Sequence, residues 1–192
     1  ALLLDGTLNV EFDIYKYEYE GLQLNFFNSA TFAYRTLNAD ETESEGFELQ
    51  LQYLPPSIDG LGLTAAIGYN DANYVKFSGP CYAGQKPSEG CTNQVGGLWE
   101  QSLNGSKKGL APELRYNLGF TYVSDIGNGL ELGLVGNVKY SDEYVLRDTI
   151  PDAMQGSYHV FDANVSVASP EAGWKLSLIG RNLNDEYIQT YA

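Results

Sequence analysis

Seven stretches of this 192-residue chain alternate apolar and polar residues with a period of two, and turn-forming residues separate them. That period is the strongest constraint on the fold. A strand sends successive side chains to opposite faces, so each stretch reads as a strand with one apolar and one polar face. From about Thr7, Leu8, Val10, Phe12 and Ile14 oppose Asn9, Glu11 and Asp13. Phe47, Leu49, Leu51 and Tyr53 oppose Glu48, Gln50 and Gln52. Later stretches centre on Leu61–Tyr69, Tyr116–Tyr122, Leu130–Val138, Phe161–Val167 and Trp174–Leu178.

The connections are as informative as the strands. Short turns (55–60, 124–129 and 169–173) alternate with long segments near 20–45, 75–111 and 141–157. Short turns at one end and long loops at the other are the plan of an outer-membrane β-barrel. The long loops are then extracellular, and the first strand runs outward. The seventh ends outside at Tyr187, so closure of an even-stranded barrel calls for a returning strand beyond it. Tyr53, Tyr69, Tyr74, Tyr116, Tyr122, Tyr140 and Trp174 lie near strand ends, as interfacial girdles do. A soluble β-sandwich that binds a ligand or carbohydrate also alternates. In a sandwich the apolar faces meet each other; in a barrel they face lipid. The expected fold is all-β and antiparallel: a transmembrane barrel fragment of about seven strands, forming an open curved sheet over 1–192.

Composition narrows the function. No run of 18 apolar residues occurs, which excludes a membrane-spanning helix but not membrane-spanning strands. Fifteen Tyr and 21 Gly accompany a mean hydropathy of −0.27. A net charge of −14 argues against nucleic acid as a partner. The start, Ala-Leu-Leu-Leu-Asp-Gly, lacks Met and a basic leader, and the strand pattern by Thr7 favours a mid-protein start.

Four short motifs carry a family resemblance. They are Tyr17-Glu18-Tyr19-Glu20-Gly21-Leu22-Gln23; Asn38-Ala39 followed by Ser44-Glu45-Gly46-Phe47-Glu48-Leu49; Gly105–Pro112; and Arg181-Asn182-Leu183-Asn184-Asp185-Glu186-Tyr187. In their order and spacing they resemble the C-terminal barrel of TonB-dependent outer-membrane receptors, with plug and last strand absent. The resemblance implies TonB-energised uptake, across the bacterial outer membrane, of a scarce nutrient such as a ferric siderophore. It further implies outer-membrane lipid around the barrel, a plug domain and remaining barrel strands, TonB acting through the plug, and a small-molecule nutrient. A passive porin-type barrel is the alternative within the membrane class.

The motifs also have structural readings. Gly46 suits a bulge or bend where a loop re-enters a strand. Asn182, Asn184 and Asp185 suit chain reversal through local side-chain hydrogen bonds. Glu11, Asp13, Glu48, Arg115, Glu131, Lys139, Asp162, Lys175 and Arg181 fall on the polar parity and would line the lumen as a mixed-sign wall.

Candidate site residues are few. Cys81 and Cys91 in the longest loop are read as a disulfide, consistent with an exported chain. Tyr82 and Trp99 in the same loop are candidate ligand-contacting aromatics; loop packing is the competing role. The acidic run Asp40–Glu45 lacks the spacing of a calcium loop and reads as a solvated face. His159, the sole histidine, has outward parity and reads as an interfacial imidazole. No residue is assigned a catalytic, cofactor-binding or metal-binding role, and the chain is not read as an enzyme.

Overall fold

A computed structural model describes residues 1–28, 33–95 and 98–190. The tip of the 20–45 segment and residues 96–97 and 191–192 lie outside the described residues. The main sheet holds eight strands, and their order across it is their order along the chain. They are β1 (Leu2–Leu3), β2 (Leu8–Asn28), β3 (Ala33–Tyr53), β4 (Leu61–Lys76), β8 (Leu114–Gly127), β9 (Leu130–Ser141), β12 (Tyr158–Ser169) and β13 (Trp174–Gly180). Every pairing is antiparallel, and the sheet is open rather than closed. The seven alternating stretches are all present as strands, and the two-residue β1 is an addition.

The register aligns the alternation across the sheet. One row runs Val10–Leu51–Ala65–Leu118–Val138–Phe161. The neighbouring row on the other face runs Glu11–Gln50–Ala66–Asn117–Lys139–Val160. The apolar rows therefore merge into one continuous face, and among the described residues nothing covers it. Ile14 is 76% exposed, Leu176 73% and Leu178 77%. A β-sandwich would bury these side chains against a second sheet, so the sandwich alternative fails on this observation.

The short turns follow their sequences. Asn128 and Gly129 both take positive φ (56° and 70°) between β8 and β9. Two such central residues make the primed turn that matches strand twist, and Asn-Gly is its preferred dipeptide. The Asp125 carboxylate accepts a 2.6 Å hydrogen bond from the Gly127 N–H.

Two expectations need correction at the other end. Residues 20–45 are largely strand: β2 and β3 are 21 residues each and stay paired from Leu8↔Tyr53 to Asn28↔Ala33. At about 3.3 Å per residue each extends roughly 70 Å, well beyond the 9–11 residues that cross a bilayer. Gly46 is not at a bulge either. It pairs in regular register with Tyr15 and Asn70, and the irregularity falls at Glu41/Thr42. Its lack of a side chain admits the Tyr15 hydroxyl, which would lie 2.8 Å from an added Cβ.

The remaining long segments are also structured. β5 (Ser78–Pro80), β6 (Cys91–Val95) and β7 (Leu98–Ser102) form a three-stranded sheet, and β10 (Tyr144–Val145) pairs with β11 (Met154–Gln155). The buried apolar cluster lies at this end of the molecule: Phe26, Ala39 and Tyr74 on the outer parts of β2, β3 and β4 pack with Phe77 and Leu103, flanked by Leu22, Leu24 and Leu37. Tyr74 is thus not a girdle residue. β4 continues past Tyr69, and Tyr74 shares the Thr42 and Tyr19 row, where it is 0% exposed. Among the described residues, no helix is long and apolar enough to cross a membrane.

Candidate functional site

The loop end of the sheet carries a cavity of about 460 Å³, within the range typical of small-molecule sites. Its walls come from two separate parts of the chain. The β2/β3 arm contributes Phe26, Arg35 and Leu37, and the β5-β7-β6 sheet contributes Cys81, Tyr82, Cys91, Trp99 and Glu100. The two loop aromatics expected from sequence therefore meet in one place. Phe26, Arg35 and Glu100 were not singled out beforehand. Nothing local marks them, because their meeting depends on how the arm packs against Tyr74 and Phe77. Phe26 and Phe77 ring centroids are 5.6 Å apart, and those of Tyr74 and Phe77 are 5.0 Å apart.

Cys81 and Cys91 form a disulfide with Cα atoms 5.7 Å apart. Inside the closed loop, the Glu89 carboxylate accepts from the Lys86 N–H at 2.8 Å. Gln85 donates to the Glu89 carbonyl at 3.0 Å and to Gln101 Oε1 at 2.8 Å. The Tyr82 hydroxyl donates to Glu89 at 3.3 Å; desolvation first, then the Glu89 charge, raise its pKa.

Gln101 joins the cavity wall to the neighbouring loop. It is 5% exposed, and its amide donates to Thr149 O at 2.9 Å and Pro80 O at 3.2 Å. Two more bonds reinforce that seam: Gly109 N–H to Asp148 Oδ1 at 2.5 Å and Leu110 N–H to Val145 O at 2.8 Å. The same Asp148 acts on Tyr74. Burial first, and that carboxylate second, push the Tyr74 phenol far above its ordinary range. It stays protonated, as its apolar surroundings require.

Below the cavity the loop is held by charge. Lys107 reaches Asp71 at 2.7 Å and Glu113 at 2.5 Å. The Lys107 hydrogen bond lowers the Asp71 pKa; partial burial works against ionised Lys107, but its two carboxylate bonds raise its pKa overall. The acidic run lies on β3. Lys16 bridges Glu43 at 2.7 Å and Glu45 at 3.7 Å, and Lys76 meets Asp40 at 3.4 Å. Among the described residues, no cluster of three or more potential ligands is placed to hold a metal ion.

Two further features lie on the main sheet. On the polar face, Lys139 pairs with Asp162 at 3.3 Å, one opposite-sign contact within the expected mixed-charge wall. On the apolar face, the His159 ring lies 4.7 Å from Tyr140, and its Nε2 is 3.0 Å from the Tyr116 hydroxyl. His159 thus closes an aromatic cluster at the upper edge of that face.

The C-terminal motif works differently from a purely local turn. Asn182 does bond locally, accepting from Glu186 N–H at 2.9 Å and donating to Glu186 O at 3.0 Å. Asn184 instead reaches β12. It donates to His159 O at 2.7 Å and accepts from Phe161 N–H at 3.2 Å. Its amide imitates a peptide unit and continues the ladder for one step past the end of β13.

Comparison with known proteins agrees with this architecture. A family profile described as "TonB dependent receptor-like, beta-barrel" matches residues 2–183. The ferric yersiniabactin uptake receptor FyuA from Yersinia pestis superposes with a TM-score of 0.70 at 14% identity, over 98% of this chain and 24% of that one. The siderophore receptor PiuA from Acinetobacter baumannii gives 0.68 at 22% identity, over 99% and 24%. BauA, the ferric preacinetobactin receptor of the same organism, gives 0.64 at 12% identity, over 97% and 24%. The chain thus spans about a quarter of the length of these receptors. No curated protein matches it in a sequence comparison. On the family match, the strand order and the uncovered apolar face, the chain belongs to the TonB-dependent receptors, as a portion of their β-barrel.

Proposed function

We propose that these residues form barrel wall and extracellular loops of a bacterial outer-membrane receptor that imports a scarce nutrient, such as a ferric siderophore, with energy delivered through TonB. The observation that carries the reading is the continuous apolar face of an open antiparallel sheet, in a chain of this family. A face with Leu176 and Leu178 about three-quarters exposed is unstable in water and suited to lipid. The opposite face, with Glu11, Gln50, Asn117 and Lys139, suits a hydrated lumen closed by a plug. The similar structures are described as a ferric yersiniabactin uptake receptor, a siderophore receptor and a ferric preacinetobactin receptor, which supports the substrate class. The role is transport rather than catalysis. The arm of β2 and β3, residues 75–111 and residues 141–157 project outward from the membrane in this orientation.

The test is uptake of radiolabelled iron chelates by iron-starved cells with and without the complete receptor. Import of at least one chelate should disappear on deletion of the receptor and equally on loss of TonB. Uptake that persists without TonB would overturn the energised reading and favour a passive pore.

A further inference from the structure

We propose that the cavity between the β2/β3 arm and the disulfide-closed sheet is a binding site for a planar aromatic acid that also bears a hydrogen-bond donor. The inference rests on the uptake reading, which places this cavity where external solutes reach it. Four observations combine. The volume, about 460 Å³, accommodates a ligand of two or three fused rings. Phe26, Tyr82 and Trp99 supply aromatic surface, and Trp99 remains 51% exposed although it lines the cavity. The disulfide-bonded Cys81 and Cys91 line the same cavity, and sulfur is a polarizable partner for a ring. The lining carries one charge of each sign, Arg35 from the arm and Glu100 from β7, and no ion pair joins them.

This last point sets the ligand class. Among the described residues, Arg35 makes no ion pair, in a chain of net charge −14 with 25 acidic side chains. A guanidinium left open beside aromatic rings suits a carboxylate or another planar anion, which it can grip through two parallel N–H bonds. Glu100 accepts hydrogen bonds only, so the ligand should also carry a hydroxyl or amine hydrogen. The disulfide and the Gln85–Gln101–Thr149 chain hold the wall before a ligand arrives, which lowers the ordering cost of binding.

The test uses the complete receptor in detergent and calorimetric titration with 6-hydroxy-2-naphthoate. The controls are 2-naphthol, which lacks the anion, and choline, a cation suited to an aromatic cage. Saturable binding of the naphthoate is expected, weakened roughly 10- to 100-fold by Arg35→Gln and about tenfold or more by Trp99→Ala. Trp99→Phe, which keeps a ring, should restore most of the loss. Binding unchanged in both Arg35→Gln and Trp99→Ala, no saturable binding, or a preference for choline would each overturn the assignment. TonB-dependent uptake of iron chelates is measured in the same variants. Uptake intact with no naphthoate site sinks this inference alone; a naphthoate site without TonB-dependent uptake sinks the transport reading alone.

Discussion

Breaking the Cys81–Cys91 disulfide should loosen one small sheet and leave the large one intact. The bond closes a loop with a sequence separation of 10. The chain-entropy relation, with about ten residues in the loop, gives roughly 2.7 kcal/mol of stabilisation at room temperature. That figure applies to the unit the loop belongs to. β6 and β5 flank β7 there, and that sheet touches the rest mainly through Gln101 and the arm. Opening of residues 78–102 should therefore become about 100-fold more frequent on reduction, since each 1.4 kcal/mol is a factor of ten. The assay is hydrogen exchange read by mass spectrometry on the complete receptor, oxidised and after reduction with a phosphine, with a Cys81→Ser/Cys91→Ser double variant alongside. Peptides from 78–102 should lose about two decades of protection, while those from β8 and β9 hold theirs. A change below threefold in 78–102 would refute the reasoning. So would an equal loss across β8 and β9, because the disulfide would then be stabilising the whole fold.

Other perturbations probe the sheet and the seam. Leu118→Arg, on the apolar face, should cost about 2–4 kcal/mol if that face meets the bilayer midplane, whereas Asn117→Arg on the other face should cost under about 1 kcal/mol; assembled receptor in outer-membrane fractions distinguishes them. Asn184→Ala removes both bonds to β12 and should cost about 1–3 kcal/mol, read as faster exchange at His159–Phe161. The Lys107–Asp71 bridge gives a signed pH dependence. The folded Asp71 pKa is lowered, so its contribution is present above the unfolded value and fades as pH falls through the folded one. Lys107 is raised, so its contribution is present below the unfolded lysine value and fades as pH rises through the folded one. Proteolysis near residues 105–113 should thus quicken at both extremes, and Lys107→Met should flatten that dependence.

The sheet was legible because period two survives without tertiary knowledge. Val10, Leu51, Leu118 and Val138 carry the same parity whether or not their partners are known, and the register places them in one row. Legibility failed where parity ran on beyond the expected strand ends. Glu18, Glu20, Glu41 and Glu43 look like loop residues by charge, yet they are paired strand positions, and Lys16 bridges Glu18 and Glu43. Tyr74 looks like a girdle residue because nothing local distinguishes an aromatic at a lipid surface from one in a core. Its partners Phe26 and Leu103 lie far from it in sequence. The cavity was half visible. Tyr82 and Trp99 stand near the two cysteines in the chain, whereas Arg35 reaches them only through the folded arm.

Among the long strands, each pairs only with its neighbours in the chain: β2 with β3, β3 with β4, then β8, β9, β12 and β13 in turn. Such a meander is a row of hairpins with nearest-neighbour couplings, comparable to a repeat array. Its girth can change by whole hairpins, because adding or losing one alters two seams and no others. The loops lack that freedom. Hydrogen bonds of Gln101 and Asp148 and the packing of Tyr74 with Phe26 and Phe77 knit three of them into one piece. Selection can thus vary the circumference by counting hairpins, while the loop surface has to change as a unit.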